Sequence, residues 1–588
     1  MNTNRELARI FDEMAAAREL LGANPFRVNS NRRVARMVRD LTDDLATIAD
    51  VDNDGALGRL TALPGVGKGS AEKILEYLRD GEVSEHQELM AKVPSGLFDV
   101  LAIPGVGPKA AKLMWDELDI TSTTELSARL EADPESIAAL PRMGKKSVEK
   151  MKQALAFKEK AGERTPLGRA RPLALMIRER LAAVPGVEKV DFAGSLRRGR
   201  ETIGDLDFVV ACSDHEAVTA AFVELDGVTQ VLLSGETKTS VRLEVGRVVM
   251  QADLRIVPAT VYGAALLYFT GSKEHNVRLR EIAIKRDMHL NEYGLFAGTA
   301  ERPQDRGEEP IAAADEEAIY EALGLPWIPP ELREDRGEFD GELPRLLELE
   351  DIGAELHSHT VASDGKLSID ELAAVAKARG LHTIAITDHS ASSVIAGGLT
   401  PERLREHITA VHEANERIDG ITLLAGSEVD ILADGGLDYD DELLAALDVV
   451  VASPHAALRQ DSEAATERLL RAIRHPLVHI IGHPTGRLIG RREGLSPDMA
   501  ALYAAAAEHD VALELNANWM RLDLGDTHLR GALERGCKIA IDTDAHDADD
   551  FDNLIYGILT ARRAALTPAS CINAWPADEL HAWLASKR

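Results

Sequence analysis

The stretch Gly194–Asp207, GSLRRGRETIGDLD, places a Gly-Ser pair, two adjacent arginines and two alternate carboxylates close together. Asp205 and Asp207 flank Leu206, and the apolar Phe208, Val209 and Val210 that follow predict a strand. Residues two apart on a strand share a face, so both carboxylates point the same way. They repel unless a cation sits between them. Magnesium suits the position, being a hard cation that takes oxygen ligands and completes its shell with substrate phosphates. Gly194 and Ser195 offer backbone N–H groups and a hydroxyl to a phosphate, and Arg198 adds a charge-assisted pair. The chemistry indicated is metal-dependent nucleotidyl transfer. A hairpin with incidental surface carboxylates is the plainer reading, and the GS and RRG elements at this spacing weigh against it.

Asp253 lies in the apolar run VVMQADLRIV, Val248–Val257, where an unpaired carboxylate is costly. It reads as a third metal carboxylate on a strand adjacent to Asp205–Asp207. Three carboxylates with two ions would lower the pKa of an attacking hydroxyl and neutralise a leaving pyrophosphate. In YFTGSKEHNVRLR, Tyr268 and Phe269 can pack on a sugar or base, and Gly271 permits a bend and close approach. Asn276 and Arg280 lie four apart on one helix face, within reach of the minor-groove edge of a base pair.

A second chemistry occupies the C-terminal part. Of 18 histidines, 14 lie after residue 351. Apolar β-like runs end in metal-ligand types: His357 and His359, His389, Glu428, His455, His483, and Asp544 with His546; VALELNAN is a seventh such run. Helical segments such as Ile369–Arg379 and Pro401–Ile418 separate several of them. Alternating strands and helices predict parallel βαβ units, and ligands at strand ends predict a barrel. Packing histidines would explain one or two of these positions, not six strand ends. Mixed His/Asp/Glu ligands without cysteine suit zinc, manganese or iron with open positions, able to activate water against a phosphoester.

The elements before the first site form a repeat. LPGVGKGSAEKI (Leu63–Ile74), IPGVGPKAAKLM (Ile103–Met114) and LPRMGKKSVEKM (Leu140–Met151) share a tight turn followed by a helix start. Gly65 and Gly105 make the turn. Gly67, Gly107 and Gly144 let the backbone approach a ligand, with helix N–H groups aimed at an anion. Lys145 follows the third glycine directly. This is the logic of helix-hairpin-helix contacts to DNA phosphates, which hold without reading bases. Lys73, on the helix after the first turn, could form a Schiff base with an open-chain sugar; a solvated helix lysine is an equal reading.

The 588-residue length and 45% apolar content allow several cores. No apolar run is long enough to span a membrane, and MNTNRELARIF lacks a signal-peptide core. Cys212, Cys537 and Cys571 are too few and scattered for a disulfide frame, so a cytoplasmic location is expected; the expected DNA binding makes it nucleoid-associated. The net charge of −31 argues against nucleic acid as a total, but its distribution matters more. Arg27, Arg32, Arg33, Arg36 and Arg39 cluster early, and acidic runs concentrate in Glu308–Glu317, Glu331–Glu350 and Asp547–Asp552.

The GSLRRG…GDLD, Asp253 and YFTGS elements resemble the X family of DNA polymerases. That resemblance implies metal ligation by Asp205, Asp207 and Asp253 with Mg²⁺ or Mn²⁺. It also implies triphosphate contacts from Ser195, Arg198 and Gly204, sugar-side contacts from Tyr268, Phe269 and Gly271, and minor-groove contacts from Asn276 and Arg280. Ile203 departs from a family serine that touches phosphate. Asn291-Glu292-Tyr293 resembles a thumb segment. Lys73 aligns with the family's 5′-deoxyribose-phosphate lyase lysine, and Arg27 keeps the basic residue of the 5′-phosphate pocket. Phe26 replaces a tyrosine and Gly69 a supporting lysine, so 5′-phosphate binding is expected and robust lyase activity is not.

The HSHT…DG, TDH, SPH, GHP and DAH elements resemble the PHP phosphoesterase family, a distorted seven-stranded barrel. By that resemblance His357, His359, Glu428 and Asp544 hold one ion, Glu428, His455 and His483 a second, and Asp364, His389 and His546 a third. The whole is similar to bacterial and archaeal family X polymerases with a C-terminal PHP domain. The expected architecture is multidomain α+β and α/β. It has a DNA-binding helical domain (1–82), a fingers-like region with the second and third hairpins (83–163), a polymerase beta-like palm and thumb (164–328), a solvated linker (329–350) and a distorted (β/α)7 PHP barrel (351–588). The expected activity is gap-filling DNA synthesis in base-excision-type repair by a monomer acting on gapped or primed DNA and deoxynucleoside triphosphates. A 3′–5′ exonuclease that also cuts at abasic sites would reside in the PHP domain. Another nucleotidyltransferase, or a PHP phosphatase of small molecules joined to a DNA-binding scaffold, remains the alternative.

Overall fold

The computed structural model describes the chain except residues 1, 2, 42, 52, 102, 104, 105, 142, 146, 150, 153, 154, 156–163, 247, 301 and 588. Gly105 therefore lies outside the described residues. The chain divides into two compact units, Met1–Glu163 and Arg164–Arg588.

The first unit is helical. Helix Pro25–Asp40 starts with Pro at its first turn and with the Asn24 side chain accepting from the Phe26 N–H, a sequence-local start signal. Helix Lys68–Asp80 begins after Gly67 and stops at Gly81, whose φ of 76° is left-handed. Helix Pro108–Leu118 begins in the same way after Gly107. Gly65 needs its φ of +78°, and a Cβ there would sit 2.7 Å from Arg33 Cδ. Among the described residues, nothing lies within 4 Å of where a Cβ would stand at Gly67, Gly107 or Gly144. The Gly144 carbonyl accepts from the Ser147 and Val148 N–H groups, so the third copy also opens a helical turn.

The second unit starts with a five-stranded sheet in the order Val187–Phe192, Asp205–Cys212, Val248–Val257, Lys238–Val245, Val228–Ser234. Only the Asp205–Cys212 and Val248–Val257 pair is parallel. Met250, Ala252, Leu254 and Ile256 face the core with period two. Gln251, Asp253 and Arg255 therefore point to the other face. Helices Tyr262–Thr270 and Lys273–Lys285 follow; Ser272 caps the second by accepting from the His275 N–H.

The predicted solvated linker fails, mostly in its first half, although Leu346 and Leu347 in its second half are buried too. Pro330, Glu331, Arg333 and Glu338 are buried. Arg333, at 0% exposure, donates from Nη1 and Nη2 to both oxygens of Glu316 at 2.7 and 2.9 Å. Arg197 donates to the same carboxylate at 2.7 and 3.0 Å. Burial opposes charge on Glu316, but the two guanidiniums hold its pKa well below the carboxylate range. A Glu- and Arg-rich run looks solvated in sequence because its partners are distant in the chain. Arg333→Met is expected to cost about 1.5–3 kcal/mol, the scale of lost hydrogen bonds to a charged group, because Arg197 still holds the carboxylate; equilibrium denaturation checks this, and a loss below ~1 kcal/mol would contradict it.

The C-terminal part is a seven-stranded parallel sheet whose strands lie in chain order: Ala354–Glu355, Thr383–Ile386, Thr422–Asp430, Val449–Ser453, Ile480–Ile481, Ala512–Asn516 and Ile539–Asp542. A parallel bridge between Ser358 and Ala545 joins the segments leaving the first and last strands, nearly closing a barrel. The connecting helices carry start signals of their own, such as the Ser368–Glu371 capping box before Ile369–Ala378. Sheet domain and barrel share packing. Leu522 and Tyr556 of the barrel belong to the apolar core under the five-stranded sheet. A Cβ on Gly168 would lie 2.1 Å from Trp519.

Candidate functional site

Asp207 and Asp253 are direct partners across the parallel strand pair. The Gly-Ser element is the start of a one-turn helix, Gly194–Arg197, rather than an open turn. Gly194 has φ +61°, and a Cβ there would come 2.4 Å from Asp207 Oδ2. Only glycine brings this turn so close to the carboxylate. Burial, then the charges of Asp205 and Asp253, push Asp207 up to about 7. Burial and Asp253 raise Asp205 in the same direction.

The third carboxylate carries two partners that sequence reasoning missed. Lys238 Nζ stands 2.9 Å from Asp253 Oδ2, and Gln251 Nε2 donates to Oδ1 at 2.8 Å. Lys238 lies on the neighbouring antiparallel strand, paired with Arg255 rather than with Asp253 itself. The predicted triad thus shares one edge but does not converge. Among the described residues, its ligand atoms do not form a group within 4.8 Å of one another, as those of the barrel do. An all-oxygen set with a carboxylate held near neutrality still matches a hard divalent cation.

That electrostatic state has a testable sign. A carboxylate raised above its unfolded value withdraws stability as pH climbs from the ordinary carboxylate range through about 7, because the folded state resists ionisation. A divalent cation at the site offsets this. The Mg²⁺-induced rise in melting temperature is therefore expected to grow from about pH 6 to about pH 8, and Asp207→Asn should remove that growth. An equal increment at both pH values would count against a cation at Asp207.

The remaining predicted nucleotide-site residues are distributed around this edge. Arg198 donates from Nε to Glu334 at 3.1 Å and from Nη1 to the Thr270 carbonyl at 2.5 Å. A Cβ on Gly271 would lie 3.2 Å from Arg198 Nη1. Gly204 is exposed beside Arg164, and Ser195 is half-buried. Tyr268 and Phe269 meet edge to face at 5.2 Å; Tyr268 is exposed, while Phe269 packs partly into an apolar cluster with Ala193 and Val209. Tyr268, Asn276, Arg280 and Asn291 line one shallow pocket. Asn276 Nδ2 donates to the Tyr268 carbonyl at 2.7 Å, tying the two segments together.

At the barrel mouth every predicted ligand is present and close. Glu428 is the hub. His357 Nε2, His359 Nε2, His389 Nδ1, His455 Nε2 and His483 Nε2 approach its oxygens at 3.3, 3.7, 2.8, 3.2 and 2.8 Å. Burial opposes its ionisation, but His455, His357 and His389 hold Glu428 well below the usual carboxylate range. Burial and His389 depress His359 to about 4, whereas Glu428 and Asp430 overcome burial and lift His455 to about 10. Among the described residues, His359 Nδ1 and His483 Nδ1 are buried without a hydrogen-bond partner, and the close approaches of His357 Nε2 and His389 Nδ1 to Glu428 lack hydrogen-bond geometry. Such atoms are costly to leave unmade, and cations would use several of them.

The ligand atoms group differently from the expected sets. His359, Asp364, His389 and His546 form one group, His357, His359 and Asp544 a second, and His389, Glu428 and His455 a third. His359 and His389 each serve two groups because the barrel brings neighbouring strand ends together. His483 stays outside these groups; its Nε2 meets Glu428 Oε1 at 2.8 Å and its ring lies against those of His357 and His455.

Sequence reasoning missed the carboxylates that orient these histidines. Glu514 Oε1 accepts from His357 Nδ1 at 2.6 Å, and Asp430 takes His455 Nδ1. Such partners fix the tautomer and raise ligand basicity. Glu514 lies in VALELNAN, the run to which no ligand is assigned from the sequence; its full burial and its histidine partner appear only in the fold.

In Lys73 the first unit offers an engaged amine. Its Nζ donates to the Gly69 carbonyl at 2.9 Å and pairs with Glu85 at 3.0 Å. Arg27 and Lys145 are exposed.

Fold and sites define a metal-dependent nucleotidyltransferase joined to a metal-dependent phosphoesterase. Family models match as a helix-hairpin-helix domain at residues 2–83, a SAM-like helix-hairpin-helix tandem at 98–156, a DNA polymerase beta thumb at 265–334 and a PHP domain at 355–518. The chain is 37% identical over 583 residues to the "DNA polymerase/3'-5' exonuclease PolX" of Bacillus subtilis (strain 168), covering 99% of both chains. It is 27% identical to DNA polymerase lambda of Arabidopsis thaliana over 47% of this chain and 54% of that one. A probable phosphatase of Thermoanaerobacter sp. (strain X514) is 29% identical over 37% of this chain and 88% of its own. The chain belongs to the family X DNA polymerases that carry a C-terminal PHP domain. No described helix is long and apolar enough to cross a membrane.

Proposed function

We propose that the protein adds deoxynucleotides to the 3′ end of primed or gapped DNA, in base-excision-type repair, and resects 3′ ends at the barrel. The observation that carries the first half is the pairing of Asp207 with Asp253 beside the Gly194 turn. Asp205, Asp207 and Asp253 would hold Mg²⁺ or Mn²⁺. When bound, such ions lower the pKa of the attacking 3′-hydroxyl and neutralise the leaving pyrophosphate. Ser195 and Arg198 would hold the triphosphate, the latter as a charge-assisted donor. Tyr268 and Gly271 would face the sugar, and Asn276 and Arg280 the minor-groove edge. The helix starts after Gly67, Gly107 and Gly144 would grip DNA phosphates without reading sequence.

At the barrel, His357, His359, Asp364, His389, Glu428, His455, His483, Asp544 and His546 would hold two or three Zn²⁺, Mn²⁺ or Fe ions. These supply Lewis acidity and an activated water. Glu514 and Asp430 would keep His357 and His455 in the ligating orientation. Cleavage at abasic sites is a further proposed use of this centre. A Schiff base needs a free amine, and Lys73 is already paired with Glu85, which weighs against robust lyase activity; 5′-phosphate binding would rest on the exposed Arg27.

The test is incubation of the protein on a primed, gapped duplex with Mg²⁺ or Mn²⁺, with and without deoxynucleotides. Templated extension with nucleotides and 3′ shortening without them are expected. Untemplated tailing would favour another nucleotidyltransferase. Turnover of nucleotide monophosphates in preference to DNA ends would favour a small-molecule phosphatase.

A further inference from the structure

We propose that Arg563, a barrel residue, positions the nucleotide site of the sheet domain by acting through Glu334 on Arg198. The inference rests on the reading of Arg198 as a triphosphate contact.

Arg198 is held from both sides of its own residue. Its guanidinium donates to Glu334 Oε1 at 3.1 Å, and Arg563 Nη1 donates to that same oxygen at 2.9 Å. Arg563 Nη1 also donates to the Arg198 carbonyl at 2.8 Å. One barrel guanidinium thus fixes the main chain of Arg198 and the carboxylate that aims its side chain. Arg563 Nη2 is anchored in turn on Asp526 Oδ2 at 2.8 Å, which Arg336 also holds at 3.0 Å. The Arg563 side chain is only 3% exposed.

The chemistry of the residue matters. A planar guanidinium presents several donors in a fixed fork, so one side chain can serve Glu334, a carbonyl and Asp526 together. A lysine there keeps the charge but loses the fork. The network does not cancel the charge needed for a triphosphate. Arg198, Arg200 and Arg563 all face the one carboxylate of Glu334. Arg563 ends the barrel helix Leu554–Arg563. Leu559 of that helix lies 3.1 Å from where a Cβ on Gly199, next to Arg198, would stand. The barrel therefore forms part of the wall behind the nucleotide site.

The experiment uses the full chain and measures KM for the deoxynucleotide separately from kcat in single-nucleotide insertion on a gapped duplex. Resection of a 3′ end by the same preparations reports an intact barrel. Arg563→Met and Glu334→Gln are expected to raise KM about tenfold, the scale of one lost charge-assisted hydrogen bond, with kcat within about twofold. Arg563→Lys should recover part of the loss, and Arg198→Ala should raise KM at least as much as either. A raised KM for Arg198→Ala with wild-type KM for Glu334→Gln would overturn the proposal. An unchanged KM for Arg198→Ala would instead remove the triphosphate reading beneath it. Should Arg563→Met also lose resection, Glu334→Gln, which changes charge and not volume, decides the matter.

Discussion

Asp205→Ala is expected to abolish templated extension while 3′ resection continues at the wild-type rate. The loss should be at least about a thousandfold, equivalent to ~4 kcal/mol of transition-state stabilisation, since a cation clamp contributes several kcal/mol. Asp205 and Asp207 alternate on one strand, and Asp207 pairs in register with Asp253. Removing Asp205 removes an oxygen ligand and one of the charges that raise Asp207. Residual extension at a tenth of the wild-type rate would place the metal elsewhere. Loss of resection as well would mean that the two chemistries share more than a chain.

Glu428→Ala is expected to do the reverse, removing resection and sparing extension. Its carboxylate is approached by five histidines from strand ends around the barrel. The variant should also retain fewer equivalents of metal after dialysis, measured by elemental analysis, which separates a ligand role from a purely catalytic one. His357→Ala should follow the same pattern, because Glu514 aims His357 Nδ1 and leaves its Nε2 facing Glu428 and Asp544. Metal content at the wild-type level in both variants would contradict the ligand assignment.

Much of this was legible before any fold was seen. Alternation along a strand placed Asp205 and Asp207 on one face, and ligands recurring at the ends of apolar runs indicated the barrel. Those signals survive because they depend on local periodicity. Lys238 against Asp253 was not legible, since it depends on antiparallel register between separate strands. Glu514 was hidden because a carboxylate inside a β-run carries no local mark of which histidine it meets. The burial of Arg333 was misread for the same reason: charge-rich sequence reads as solvated until a partner such as Glu316 is brought to it. The Gly-Ser element stands beside the carboxylates as expected, but that it opens a helical turn with Gly194 at positive φ is something spacing does not reveal.

Trp519 against Gly168, with Leu522 and Tyr556 in the core beneath the five-stranded sheet, sets how the molecule melts. Side chains supplied by one half complete the apolar interior of the other. Cleaving the chain near residue 350 would leave a sheet lacking Leu522 and Tyr556, and a barrel with Trp519 facing water. Heating the intact chain should give the second unit one cooperative transition rather than two. Separated halves would be prone to aggregate through the surfaces they once covered. For this chain, transplanting either catalytic centre alone would require rebuilding that seam first.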